Sequence, residues 1–155
     1  MMRGRGFTMS WCDERETNAG AVALKTNQQP EVVLVVSRRC VSLNELMRRY
    51  RHPLAYARLK RAWAHDLLYG NLPAVRTLRS RPGGSLPLVR FVREYSGREL
   101  SFDSDNLVGG LKPVRDALVD LEIIAGDSGR DATFEYEQRR IPGRAESRLV
   151  VTVSV

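Results

Sequence analysis

The chain has 155 residues, of which 43% are hydrophobic and 28% are charged, and its formal net charge is +7. This length and composition suit one globular domain and exclude an intrinsically disordered chain. The pI of about 10.0 indicates an anionic polymer as partner, and nucleic acid is favoured over a membrane because no apolar run is long enough to cross a bilayer.

Cysteine and histidine are scarce, with two residues of each in the chain. Cys12 and Cys40 are too few for a disulfide framework, and the histidines have no zinc-ligand spacing, so a reducing cytoplasm is the expected compartment. The N-terminal stretch "MMRGRGFTMSW" carries arginines, but no apolar segment of a signal peptide follows it. Residues 1–29 mix charge with Gly, Asn and Gln and predict a flexible tail, and residues 30–155 predict the folded domain.

The first regular patterns beyond the tail are a strand and a helix. From Glu31, "EVVLVVS" is a short apolar, β-branched run that predicts a buried strand. The stretch "RRCVSLNELMRRYRHP" then brings five arginines, with turn-forming residues at Ser42 and Asn44. In "LAYARLKRAWAHDLLYG" the apolar residues recur every three or four positions, which predicts an amphipathic helix ending at Gly70.

The second half of the chain predicts the rest of an α+β fold. A loop at "RSRPGGSLP" precedes a strand at "LVRFVREY", and "DNLVGGLKPVRDALVDL" has one apolar helix face with a kink expected between 109 and 113. "EIIAGDS" supplies two buried isoleucines, and "ATFEYEQRR" and "RLVVTVSV" predict a hairpin joined by "IPGRAES". We therefore predict one small α+β domain, with two main helices packed on a mixed or antiparallel sheet.

An acidic cluster stands out in this basic chain, because "FDSDNLVGGLK" places Asp103, Asp105 and Asn106 within four positions. One interpretation is a helix start, since Asp, Ser and Asn are good N-cap residues and carboxylates favour the positive end of the helix dipole. The other is a metal site, because carboxylates separated by one residue on extended backbone point the same way and can share a divalent ion. In a continuous helix Lys112 and Asp116 would lie on the same stripe as Asp105.

The spacing of these residues resembles the motif of the RusA-type Holliday junction resolvases. The shared pattern is Asp, one residue, Asp-Asn-Leu, a lysine, Asp-Ala-Leu four residues after that lysine, and another aspartate eleven residues further on. The resemblance covers residues 31–155, and it assigns catalytic and metal-binding roles to Asp103, Asp105 and Asp127 and the active-site lysine to Lys112. Asn106 and Asp116 take supporting places, and Asp127 is expected on the strand that follows the helix.

Two features depart from the family pattern. Family members usually have two adjacent aspartates where this chain has Gly126 followed by Asp127. The family lysine lies four residues after the second aspartate, whereas Lys112 lies seven after Asp105, and the extra residues coincide with glycines and a proline. An irregular turn is therefore expected to bring Lys112 to the site.

The resemblance implies a Mg²⁺-dependent endodeoxyribonuclease, with Mn²⁺ as an alternative ion, that acts on four-way junctions as a homodimer. A junction with two-fold symmetry must be cut on two strands, and one chain carries one acidic cluster, so two copies are required. Seven arginines around the first strand and helix are candidates for phosphate contacts, although a solvated helix face is the other interpretation; they are Arg38, Arg39, Arg48, Arg49, Arg51, Arg58 and Arg61.

Two other classes of function remain open from the sequence. The first is a catalytically inactive DNA-binding or recombination accessory protein of the same fold, in which the acidic cluster only caps a helix. The second is a protein-interaction module whose basic surface serves solubility. Binding of Mg²⁺ or Mn²⁺ where Asp103, Asp105 and Asp127 meet is expected only for the nuclease.

Overall fold

The computed structural model describes residues 31–81, 85–142 and 146–154, so the predicted tail at residues 1–29 lies outside the described residues. The predicted α+β fold is confirmed as a small domain with a four-stranded sheet. In chain order the elements are β1 (Glu31–Val36), α1 (Leu43–Arg49), α2 (Pro53–Gly70), α3 (Leu72–Arg79), β2 (Leu88–Tyr95), α4 (Ser104–Gly110), α5 (Lys112–Asp120), β3 (Thr133–Arg140) and β4 (Arg148–Ser154).

The sheet is mixed, with the strand order β1-β4-β2-β3. β4 is antiparallel to both β1 and β2, whereas β3 is parallel to β2 and follows it through α4 and α5. The predicted β3–β4 hairpin is therefore wrong, because β4 lies between β1 and β2. The physical reason is burial: Leu149, Val151 and Val153 of β4 are fully buried at the sheet centre, while β3 carries exposed Glu135 and Glu137, which suit an edge strand.

The core lies between the helices and one face of the sheet. Leu34, Phe91 and Val151 are fully buried on that face, and Trp63 of α2 and Leu118 of α5 belong to the same cluster. The predicted amphipathic helix that ends at Gly70 is confirmed as α2. No helix in the described ranges has the length and apolarity needed to cross a membrane.

Two short helices were not predicted from the sequence. Ser42 is the N-cap of α1, and its hydroxyl accepts a hydrogen bond from the Glu45 N–H, so this turn former begins a helix. α3 follows Asn71, whose side chain accepts from the Val35 N–H and donates to the Val35 carbonyl oxygen. These bonds attach the α2–α3 junction to β1.

The expected kink is confirmed as a break at Leu111 between α4 and α5. A Cβ on Gly110 would lie 2.1 Å from the carbonyl oxygen of Val41, and a Cβ on Gly109 would lie 2.8 Å from a methyl carbon of Leu43. Both glycines therefore let α4 approach the start of α1 closely. Pro113 lies in the first turn of α5, where its missing N–H costs no intrahelical bond.

Candidate functional site

The loop that leads to the acidic cluster is held by polar side chains of β2 and β3. The Arg93 side chain, which is 3% exposed, donates hydrogen bonds to the Leu100 carbonyl oxygen at 3.1 Å and to the Gln138 amide oxygen at 3.2 Å. The Gln138 amide also accepts from the Phe102 N–H at 2.9 Å and donates to the Phe102 carbonyl oxygen. This clamp fixes the residue immediately before Asp103.

Asp103 is the N-cap of α4, so the helix-start interpretation is confirmed. Its two carboxylate oxygens accept from the backbone N–H and the side-chain amide of Asn106, both at 2.8 Å. These bonds, the backbone one first, hold the pKa of Asp103 below its usual 3.8. Asn106 also accepts from the Asn44 N–H at 3.0 Å, which connects the start of α4 to α1.

Asp105 lies in the first turn of α4, and only Asp103 has extended backbone. The expectation that both aspartates project from extended backbone is therefore wrong, because the helix begins at Ser104, between them. The Asp105 carboxylate is exposed and has no hydrogen-bond partner among the residues that the structure describes. It is thus the carboxylate of the cluster that is open to a new ligand.

Lys112 forms the second half of the candidate site. Its ammonium lies 2.5 Å from Asp116 Oδ1 and 2.5 Å from Asp127 Oδ2. The hydroxyl of Tyr56, from α2, donates to the other oxygen of Asp116 at 2.5 Å. The result is a chain of four side chains that joins α2, α5 and the segment beyond α5.

Lys112 and Asp127 hold each other ionised. Burial acts to lower the pKa of Lys112, but the hydrogen bonds from its ammonium to Asp116 and Asp127 outweigh it, and the pKa is raised above 10.5. The pKa of Asp127 is held below its usual 3.8, chiefly by its bond to Lys112. Burial and the bond to Asp116 raise the pKa of Tyr56 well above its usual value, so its hydroxyl stays a donor.

Asp127 lies in the irregular segment between α5 and β3, which begins at Thr133. The expectation that it comes from a strand is therefore wrong. At the preceding position, a Cβ on Gly126 would lie 2.4 Å from Oδ2 of Asp131, an oxygen that also accepts from the Ser128 hydroxyl at 2.5 Å. An aspartate at position 126 would therefore require the Asp131 carboxylate to shift.

The structure brings Lys112, Asp116 and Asp127 together, but it does not assemble the three predicted metal ligands as one group. Within the described ranges, no three His, Cys, Asp or Glu side chains are placed to hold a metal ion jointly. Mg²⁺ keeps several waters and is commonly bound by one or two carboxylates together with substrate phosphates. The hard oxygen donors of Asp103 and Asp105, of which Asp105 is open, fit such an ion.

The seven predicted DNA-binding arginines fall into two groups. Arg38 pairs with Asp66 at 2.7 Å and lies over the Trp63 ring, while Arg39 and Arg49 both pair with Glu45. The other four have exposed side chains and make no ion pair among the described residues; they are Arg48, Arg51, Arg58 and Arg61. The second group is free to contact an external anion.

Three side chains of the site were missed in the sequence. Tyr56 was assigned to the apolar face of its helix, and its contact with Asp116 depends on how α2 packs on α5. Arg93 and Gln138 carried a usable signal, because each is a polar residue at a position of its strand that faces the core. Such a residue must find hydrogen-bond partners, and here it finds them in the loop before Asp103.

No protein-family model matches this sequence, and no curated protein is significantly similar to it.

Proposed function

We propose that the chain is a Mg²⁺-dependent endonuclease that hydrolyses phosphodiester bonds in branched DNA such as four-way junctions. The proposal is carried by the meeting of Lys112 with Asp127, which lie 15 residues apart in the chain and 2.5 Å apart in space. The resemblance to RusA-type resolvases assigns both residues to one site. The helix breaks at Leu111, and α5 starts at the lysine itself.

The side chains divide the chemistry of phosphodiester cleavage between them. Asp103 and Asp105 are the carboxylates that would hold Mg²⁺ or Mn²⁺, whereas Asp127, the third predicted ligand, pairs with Lys112. The bound ion supplies an activated water and neutralises charge on the phosphate. Lys112, kept protonated by its two carboxylate partners, has one N–H left to donate to an oxygen of the scissile phosphate.

The substrate is proposed to bind through phosphate contacts that carry no sequence information. Four arginines of α1, α2 and their connection have exposed side chains and no ion pair among the described residues, and the Asn44–Asn106 hydrogen bond connects α1 to the acidic cluster. Guanidinium groups match phosphate geometry and position a duplex without contacting base edges. A basic surface of this kind brings DNA to the carboxylates despite their negative charge.

The alternative function is a DNA-binding or recombination accessory protein that does not cleave. Its supporting observation is that both oxygens of Asp103 are already engaged by Asn106, as a purely structural cap requires. The two functions differ in metal binding, because only the nuclease needs Mg²⁺ or Mn²⁺ at Asp103 and Asp105.

Substitution of one aspartate separates cleavage from binding. Asp105→Asn should reduce junction cleavage by more than about 100-fold, since losing even an outer-shell partner of a metal costs about 10–100-fold. Junction binding should be unchanged or tighter, because one negative charge near the phosphates is removed. Cleavage is followed on a labelled junction with Mg²⁺, and binding by anisotropy without metal.

The matched control is Asp120→Asn, which removes one negative charge at the end of α5, where Asp120 pairs with Lys60. This variant should cleave like the wild type. Wild-type cleavage by Asp105→Asn would refute the assignment of Asp105 to the metal site.

A further inference from the structure

A basic cleft beside α1 contains an internal counter-ion. The cleft has a volume of about 370 Å³ and is lined by Arg39, Ser42, Asn44, Glu45, Arg48 and Arg49. Its lining therefore carries three positive charges and one negative charge. An excess of two positive charges in a concave site favours an anion.

Glu45 occupies the position that an anion would take on two of these arginines. Its side chain is 12% exposed, and its two oxygens accept from both terminal nitrogens of Arg39, at 3.3 and 3.2 Å. One of these oxygens also lies 3.0 Å from a terminal nitrogen of Arg49. Because the guanidinium fork binds carboxylate and phosphate with the same bidentate geometry, a phosphate and Glu45 compete for the same nitrogens.

The cleft lies beside the candidate site. The N–H of Asn44, in the cleft lining, donates to Asn106, which in turn bonds both oxygens of Asp103. Arg39 also borders a second cavity of about 550 Å³, whose lining includes Leu100 and Phe102, just before Asp103. A phosphate bound in the cleft would therefore lie beside the segment that carries Asp103.

We propose that this cleft binds a backbone phosphate of the DNA substrate and that Glu45 competes with this phosphate for Arg39 and Arg49. The inference rests on the proposed function, because DNA supplies the phosphate. Arg48 has no ion pair among the described residues and makes the first contact. Glu45 holds the other two arginines in place without DNA and weakens binding, which favours release of DNA after cleavage.

Glu45→Gln tests the competition because it keeps the shape of the side chain and removes its charge. Affinity for a four-way junction, measured by anisotropy against NaCl concentration without divalent metal, should rise about five- to tenfold at low salt. The salt dependence should steepen, with the slope growing by about one for each arginine freed to contact phosphate. Linear duplex of the same arm sequence should show the same gain, because phosphate contacts do not depend on branching.

The control is Glu135→Gln, which changes the net charge equally. Glu135 lies on the edge strand β3 and pairs with Arg90, and both side chains are 47% exposed. Its effect on affinity should stay below about twofold, as expected for a charge removed away from the contact. If Glu45→Gln and Glu135→Gln changed affinity equally, or if Glu45→Gln weakened binding, the inference that Glu45 competes with phosphate would be wrong. The proposal that the chain binds DNA would still hold.

A measurement on the wild-type protein does not depend on the folding of any variant. The side-chain Nε–H resonances of Arg39 and Arg49 should shift when a short duplex is added, because their partner changes from Glu45 to phosphate. Arg38, which is paired with Asp66, serves as the internal reference and should shift less. Unchanged Arg39 and Arg49 signals with bound DNA would overturn the inference, whereas absence of any DNA binding would overturn the proposed function as well.

Discussion

Lys112 lies between two carboxylates, and its ion pairs make local stability depend on pH. The pKa of Asp127 is lowered in the folded chain, so its contribution is complete above 3.8, the usual value, and is lost as the pH falls through the lower folded value. The pKa of Lys112 is raised, so its contribution is complete below 10.5 and is lost as the pH rises through the higher folded value. The interaction therefore stabilises the fold between about pH 4 and pH 10.5.

Lys112→Gln should lower the free energy of unfolding by about 0.5–1 kcal/mol at pH 7. The value is small because the Lys112 side chain is 43% exposed and solvent screens its ion pairs. The difference from wild type should be flat across the neutral range and should shrink at acidic and strongly alkaline pH. Urea unfolding at a series of pH values measures this profile.

The matched control is Lys60→Gln, because Lys60 pairs with one carboxylate, that of Asp120. This substitution should lower the free energy of unfolding at pH 7 by less than Lys112→Gln does. A Lys112→Gln difference that stayed constant from acid to strong alkali would contradict the ion-pair assignment.

For individual residues, the sequence predicted only contacts between neighbours in the chain. The Lys112–Asp116 pair follows from i,i+4 spacing, and the Asp103 cap follows from residue type. The family resemblance assigned Lys112 and Asp127 to one site, but it did not predict their ion pair. The Tyr56–Asp116 bond was not predicted, because side chains 60 residues apart meet through helix packing that has no spacing rule.

Among the secondary-structure elements, the break between α4 and α5 and its two glycines set the position of the acidic cluster. Gly110 packs against backbone, since its nearest outside atom would be the Val41 carbonyl oxygen, whereas Gly109 faces the movable side chain of Leu43. Helix propensity alone would favour alanine over glycine in α4 by about 1 kcal/mol. The close approach to α1 outweighs that preference at Gly110.

Gly110→Ala should destabilise the protein by about 1–3 kcal/mol, because the added methyl group forces α4 away from rigid backbone. The separation should also stretch the Asn44–Asn106 bond, so junction cleavage should fall. Thermal or urea unfolding gives the first value, and a cleavage assay gives the second.

Gly129→Ala is the control, because a Cβ there has no neighbour within 4 Å. Its stability should stay within about 0.5 kcal/mol of wild type. An equal effect of the two substitutions would show that the contact with Val41 does not set the position of α4.

Elements with a clear period were predicted, and their arrangement was not. β1, β2, α2 and the break near Leu111 follow from local pattern and from Gly and Pro. The prediction that β1 is buried is wrong, because β1 is an edge strand that leaves Val33 and Val35 exposed. The two short helices α1 and α3, of seven and eight residues, contain only about two turns each, which is too few for a clear apolar repeat. The wrongly predicted β3–β4 hairpin shows that strand pairing could not be predicted from local sequence. The position of β4 between β1 and β2 depends on burial across the whole sheet.

For the whole molecule, we propose a homodimer. One chain carries one acidic cluster, whereas complete resolution of a symmetric four-way junction requires two cuts. Sedimentation at micromolar concentration should therefore give a mass near twice 17.5 kDa. Mixed dimers of wild-type and Asp105→Asn chains should nick one strand of the junction, and a strict monomer that made paired cuts would refute the symmetry argument.

The proposed nuclease must cut branched DNA with the help of a divalent ion. The most direct measurement compares a synthetic four-way junction with a linear duplex of the same arm sequence, each incubated with wild-type protein in Mg²⁺, in Mn²⁺ or in chelator. We predict cleavage of the junction with either ion, little cleavage of the duplex, and none in chelator. A junction that is bound but remains intact with both ions, or one that is cut equally in chelator, would contradict the proposed function.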